Sequence, residues 1–160
     1  MSALGSGAMF TAAGAGYLAA SLVPARLTAR LGRQWPALGG LVMAAGYAAL
    51  GLVVTGAGTR GVLWLTGPLL VTGIGMGMLT APLTGIVLAQ VAPQHVGTVS
   101  GLQSMTVQLG NSIGVAVIGV VFFGALAGGF GHAFGAALAW LTVLPLAAAV
   151  AIQALPRRGG

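Results

Sequence analysis

Residues Val62–Leu88 read VLWLTGPLLVTGIGMGMLTAPLTGIVL, twenty-seven consecutive positions without a charge. A helix needs about 20 predominantly apolar residues to cross the hydrocarbon core of a bilayer. This stretch exceeds that length, so it should tilt, kink or emerge from the lipid. Outward from it lie four more uncharged stretches, Ala3–Val23, Pro36–Thr55, Val99–Leu126 and Ala133–Leu155. The pattern predicts an all-α integral membrane protein with five transmembrane helices in a single membrane domain, residues 1–160. Pro68, Pro82 and Pro145 fall inside the stretches and mark expected kinks, because proline removes a backbone donor and crowds the preceding turn.

Composition narrows the function classes. The chain has no aspartate or glutamate, and its six charges are all arginines. Charged residues make up 4 %, where a soluble domain carries about 25 %. The isoelectric point near 12 therefore reflects missing acids rather than a basic surface. Six arginines do not make a phosphate-tracking face, so no nucleic-acid partner is expected. There is no cysteine. The first residues lack the basic region of a signal peptide, and Ala3–Val23 is too long for its apolar core.

Enzyme chemistry finds little to work with. No acid is available to orient His95 or His132 as in a catalytic triad. Two histidines without a carboxylate or cysteine make a poor metal site. There is no lysine for a phosphate-binding loop. The chain reads as a non-enzyme with no metal and no cofactor. The run Gly73-Ile74-Gly75-Met76-Gly77 lacks the GxGxxG spacing and sits inside an apolar stretch, which excludes a dinucleotide loop.

The arginines orient the helices. Arg26, Arg30 and Arg33 lie between the first and second stretches, Arg60 between the second and third, and Arg157 and Arg158 after the fifth. An odd number of crossings puts the first and last groups on the side of the Gln90–Val96 loop, leaving Arg60 alone opposite. The excess of arginine marks the cytoplasmic side. The N-terminus is then outside and the C-terminus cytoplasmic, in a cell (inner) membrane. Trp35 and Trp64 fall at expected interfaces, where aromatic rings collect.

Polarity inside the lipid concentrates in Val99–Leu126. Ser100, Gln103, Ser104, Gln108 and Asn111 fall within an arc of about 140° at 3.6 residues per turn, with Ser112 at its edge. Amides facing hydrocarbon are unfavourable unless bonded. The stripe must face other helices or a water-filled cavity, and both readings stand. Gly110 and Gly114 form a GxxxG pair beside it. Gly73, Gly75 and Gly77 do the same on the third stretch, where close helix packing is the expected use. Met76 and Met78 either pack there or line an adaptable apolar pocket.

These residues carry a resemblance. Gly73-Ile74-Gly75-Met76-Gly77 with Pro82-Leu83 precedes Gly97-Thr98-Val99-Ser100-Gly101 and then Gln108-Leu109-Gly110-Asn111-Ser112-Ile113-Gly114-Val115-Ala116. In order and spacing they resemble the C-terminal part of the major facilitator superfamily, closest to fourteen-helix drug:proton antiporters of the QacA/EmrB type. Arg26, Arg30, Gly32 and Arg33 match that superfamily's cytoplasmic loop motif, R-L-x-D-R-x-G-R. Ala29 replaces its aspartate, and Val107 stands where an arginine often precedes Gln-Leu-Gly.

The resemblance implies that these are the last five of fourteen helices, a partial C-terminal bundle cut from a longer multidrug efflux transporter. The third and fourth stretches would border the central cavity, and the second and fifth would face lipid more. Gln103, Gln108, Asn111 and Met76 are the candidate cavity contacts. Partners would be the lipid bilayer, the missing N-terminal helices and small amphipathic or cationic drug-like substrates. The alternative is a non-transporting membrane interaction subunit, or a degenerate remnant, associating through its GxxxG faces.

The orientation has a direct test, since the absence of cysteine leaves no background label. A Thr28→Cys variant in intact cells should resist a membrane-impermeant maleimide and react only after permeabilisation. Labelling from outside would overturn the threading.

Overall fold

The computed structural model describes residues 3–23, 30–32, 34–56, 63–89 and 91–154. Every regular element among them is helical: α1 (Ala3–Ser21), α2 (Gln34–Gly56), α3 (Leu63–Ala89), α4 (Val96–Ala125) and α5 (Phe130–Ala154). Single 3-10 turns at Pro93–His95 and Leu126–Gly128 flank α4. Apolar sequence without water leaves the backbone no partner but itself, and an α-helix satisfies nearly all of it internally. Gln34–Val54, Pro93–Gly128 and Phe130–Ala154 are long and apolar enough to cross a membrane, judged by length and composition among the described residues, and Trp64–Thr80 is a shorter apolar helix. Helix α1 has the length but dilutes its apolar residues with Gly5, Ser6, Gly7, Thr11, Gly14 and Gly16.

Helix ends differ from the uncharged stretches by at most three residues. Helix α4 starts at Val96 because Pro93, with its preset φ, opens a 3-10 turn that runs straight into it. Helix α5 starts at Phe130, which places His132 in its first turn rather than in a loop. Gly129, at φ 95°, makes the break between α4 and α5, a conformation that residues with a side chain rarely adopt. Gly32, at φ 51°, does the same before α2, and its carbonyl accepts the Trp35 N–H at 3.3 Å. The expected kink sites Pro68, Pro82 and Pro145 all lie inside uninterrupted helices. At the C-terminal end of α1 the Leu18 carbonyl accepts both the Leu22 N–H at 3.0 Å and the Ser21 hydroxyl at 2.9 Å.

The chain divides into two compact units, Met1–Pro82 with Leu138–Gly160, and Leu83–Ala137. In the first unit α3 lies between α1 and α2. A Cβ on Gly73 would strike the Ala13 carbonyl, and one on Gly77 would lie 2.6 Å from the Tyr17 carbonyl and 2.8 Å from the Ala20 Cβ. Residue numbers rise together along this seam, so α1 and α3 are parallel. The Tyr17 and Thr80 hydroxyls close its far end at 3.5 Å. Gly75, about 200° around the helix from Gly73, meets α2 instead, against the Met43 backbone nitrogen and the Gly39 carbonyl. Gly46 abuts Thr72 further along. Numbers run oppositely here, so α2 and α3 are antiparallel. Gly40 touches the Pro145 carbonyl and Ala149, and Gly51 faces Leu138, which makes α2 antiparallel to the last part of α5. Thus α1, α3 and this part of α5 point one way and α2 the other.

The interior of this arrangement is made of small residues. Ala20, Ala37, Ala44 and Ala149 are buried, whereas Phe10 is 81 % and Leu52 74 % exposed. That is the reverse of a water-soluble core and the usual form of helix association in lipid, where close backbone approach replaces hydrophobic collapse. In the second unit Phe122 meets Phe123 and Phe130 edge to face at 5.5 and 5.6 Å, and Phe130 stacks on Phe134 at 6.3 Å. These rings span the Gly129 break, and such pairs each contribute about 0.5–1.5 kcal/mol beyond area burial.

A Gly75→Ala substitution should destabilise the first unit by about 1–3 kcal/mol, because the added methyl meets backbone that must move. Gly14→Ala, with nothing within 4 Å, should be neutral or stabilising by up to about 1 kcal/mol. Unfolding by dodecyl sulfate titration in mixed micelles measures both.

Candidate functional site

Helix α4 is thirty residues long and has no buried residue. At 1.5 Å per residue it extends about 45 Å, enough for the hydrocarbon core and both headgroup layers. Its apolar side chains are open, with Val115 and Val120 each 75 % exposed. The polar arc runs through its first half. Ser100 and Gln103 are half-buried; Ser104, Gln108, Asn111 and Ser112 are exposed. Val107 sits within the same arc and is 54 % exposed, so the stripe carries amides and hydroxyls but no charge.

Two rows of side chains meet at the edge of this arc. Ser104, Gln108 and Ser112 repeat every four residues, and Met105 and Leu109 form the adjoining row. Between them lies a shallow hollow of about 440 Å³. One wall offers hydroxyl and amide groups and the other a thioether and an isobutyl group. The Ser112 hydroxyl donates to the Gln108 carbonyl at 2.9 Å, and Thr106 donates to the Leu102 carbonyl at 2.9 Å. These hydroxyl protons are spent inside the helix. The exposed Gln108 and Asn111 amides each present a donor and an acceptor on this face.

Gln103, Gln108 and Asn111 thus share one face of one helix in the second unit. Met76 belongs to the first unit, on α3, where it is 49 % exposed and its carbonyl accepts the Thr80 hydroxyl at 2.9 Å. The glycines behave differently from one another. Gly73 and Gly77 press on α1 and Gly75 on α2, but among the described residues nothing lies within 4 Å of a Cβ added at Gly110 or Gly114. Of the arginine loop motif, Arg30 is helical and exposed and Gly32 forms the turn, while Arg26 and Arg33 lie outside the described residues.

Sequence reasoning passed over Thr72, the one buried polar residue among those described. Its hydroxyl donates to the Pro68 carbonyl at 2.9 Å and it sits where Gly46 crosses α3. It also passed over Gly39 and Gly46, seven apart on α2 and therefore on one face, which was the available signal for this seam.

Compared with curated proteins, the chain is 48 % identical over 56 residues to a "Probable actinorhodin transporter" of Streptomyces coelicolor. The matched stretch is 35 % of this chain and spans 10 % of that protein. No family model and no solved structure matches the chain. It is a membrane helical bundle with partial similarity to a transporter.

Proposed function

We propose that this chain is the C-terminal segment of a multidrug efflux transporter of the drug:proton antiport kind, resident in the cell's inner membrane. The observation that carries the reading is α4. It is a helix of bilayer length with a cluster of amides on one face and no buried residue. Amides in lipid need partners, so this face is built to meet something outside its own unit. A transport path supplies that something as water and passing substrate. The transporter similarity and the alternating directions of α1, α2, α3 and α5 support the same reading.

In this reading Gln103, Gln108 and Asn111 contact substrate in the cavity through neutral hydrogen bonds. Met76 offers a deformable apolar surface. The substrates are small amphipathic or cationic molecules, for which uncharged amides and apolar walls suffice. Alternating access would come from rocking one helix bundle against another. Proton coupling needs a titratable group within the membrane, and none of the five uncharged stretches supplies a carboxylate. A coupling carboxylate would have to come from helices outside this segment, and on this reading the segment alone does not transport.

The competing role is a non-transporting interaction subunit. The open space beside Gly110 and Gly114 favours it, since a second helix fits there without a clash.

Proteoliposomes holding only this chain should show no ethidium efflux under an imposed pH gradient; efflux would overturn the assignment of coupling elsewhere. In a full-length transporter carrying this segment, Asn111→Leu should change apparent drug affinity by about two- to tenfold, the worth of one hydrogen bond, with expression little altered. Collapsed expression with normal transport in the surviving protein would make the residue structural only.

A further inference from the structure

The hollow on α4 has two walls of unlike chemistry. Ser104, Gln108 and Ser112 stand one above another at four-residue spacing, so the polar wall runs about 12 Å along the helix axis. Met105 and Leu109 make the other wall, and Met105 is 67 % exposed. Of these five residues only Gln108 is a cavity candidate from the sequence. The volume of about 440 Å³ falls within the roughly 300–1,000 Å³ of small-molecule sites.

The three polar groups are not equivalent. The Ser112 hydroxyl donates to the Gln108 carbonyl at 2.9 Å, so outward it only accepts. The Ser104 hydroxyl makes no such bond among the described residues, so it donates as well as accepts. The Gln108 amide between them does both. No lysine, arginine, aspartate or glutamate occurs from Gly61 to Pro156, so neither wall reads net charge. On the apolar side, a thioether is polarisable and makes favourable contacts with aromatic rings.

We propose that this hollow binds flat fused-ring molecules with their long axis along α4, and that Ser104, Met105 and Leu109 join Gln108 in determining specificity. The ring body lies on Met105 and Leu109. One long edge carries hydrogen-bonding groups and meets Ser104, Gln108 and Ser112. The hollow thus selects the polar edge and not the ligand's charge. The choice of a small molecule as occupant rests on the transport reading. The test reads binding and not transport, so the two fail separately.

Equilibrium binding of ethidium to the full chain in lipid nanodiscs tests this. Its dideamino analogue keeps the ring system and the positive charge but lacks both amines. Ethidium should bind above the level of empty nanodiscs, and about two- to tenfold more tightly than the analogue. Gln108→Leu should remove that difference by weakening ethidium alone, and Ser104→Ala should reduce it. Met105→Ala should weaken both probes alike, by about two- to tenfold, because both keep the ring. Val117→Ala, about 150° around the helix from the middle of the hollow, should change neither. None of these positions is buried, so the substitutions leave the packing intact. Ethidium monoazide photolysed on the unsubstituted chain should attach within Ser104–Ser112.

Binding no greater than to empty nanodiscs would overturn the proposal. So would equal affinity for the two probes, equal losses of both in Gln108→Leu, unchanged binding in Met105→Ala, a matching loss in Val117→Ala, or photolabel attached elsewhere. A full-length transporter that binds by this pattern and yet moves no drug would sink the transport reading and leave the hollow standing.

Discussion

Helix α3 sits between α1 and α2 because its crossing points carry a hydrogen where other residues carry a side chain. In lipid there is little hydrophobic gain in bringing helices together, since acyl chains are as apolar as leucine. What remains is dispersion between closely approaching backbones, and each contact is individually small. Gly73 and Gly77 open one face of α3 and Gly75 the opposite one, so two neighbours approach at once. Alanines, with Leu138, fill much of the rest of the interior, and many of the large apolar side chains are exposed. The packing of the first unit thus depends on residues with almost no side chain.

Charge does the complementary work. Moving an arginine to the bilayer centre costs about 2.5–3.5 kcal/mol or more, and this chain has no acid to lessen that cost. Each arginine must therefore stay where water or headgroups reach it. In the first unit α1, α3 and the last part of α5 run one way and α2 the other. Glycines determine how closely the helices pack, and all six arginines fall outside the uncharged stretches.

Much of the helical layout was legible in the sequence because uncharged length is a direct physical requirement. The ends were less legible. Pro93 and Gly129 set them through backbone geometry rather than hydropathy, moving the starts of α4 and α5 outward to Val96 and Phe130. The glycine motifs were only partly readable. A GxxxG pair says that a helix can be approached closely, but not by what. The sequence treats Gly73, Gly75 and Gly77 as one set, whereas the structure divides them between two neighbours. It treats Gly110 and Gly114 alike with them, yet that pair has open space beside it. The amide arc on α4 was readable from its periodicity, because 3.6 residues per turn fixes which positions share a face. Its association with Met76 came from resemblance, and the two lie in different units. Thr72 escaped notice because a lone threonine in an apolar run carries no periodic signal.

The contact of Gly40 with Pro145 and Ala149 has a consequence for biosynthesis. The two sides of this seam are separated by about a hundred residues of chain. At translation rates of roughly 5–20 residues per second, α2 spends about 5–20 s in the membrane before its antiparallel neighbour is made. During that interval the Gly40 face can be covered only by lipid or by an insertion factor. The order in which the ribosome delivers the helices therefore differs from the order in which they pack, and α5 closes this seam only after α3 and α4 have been made.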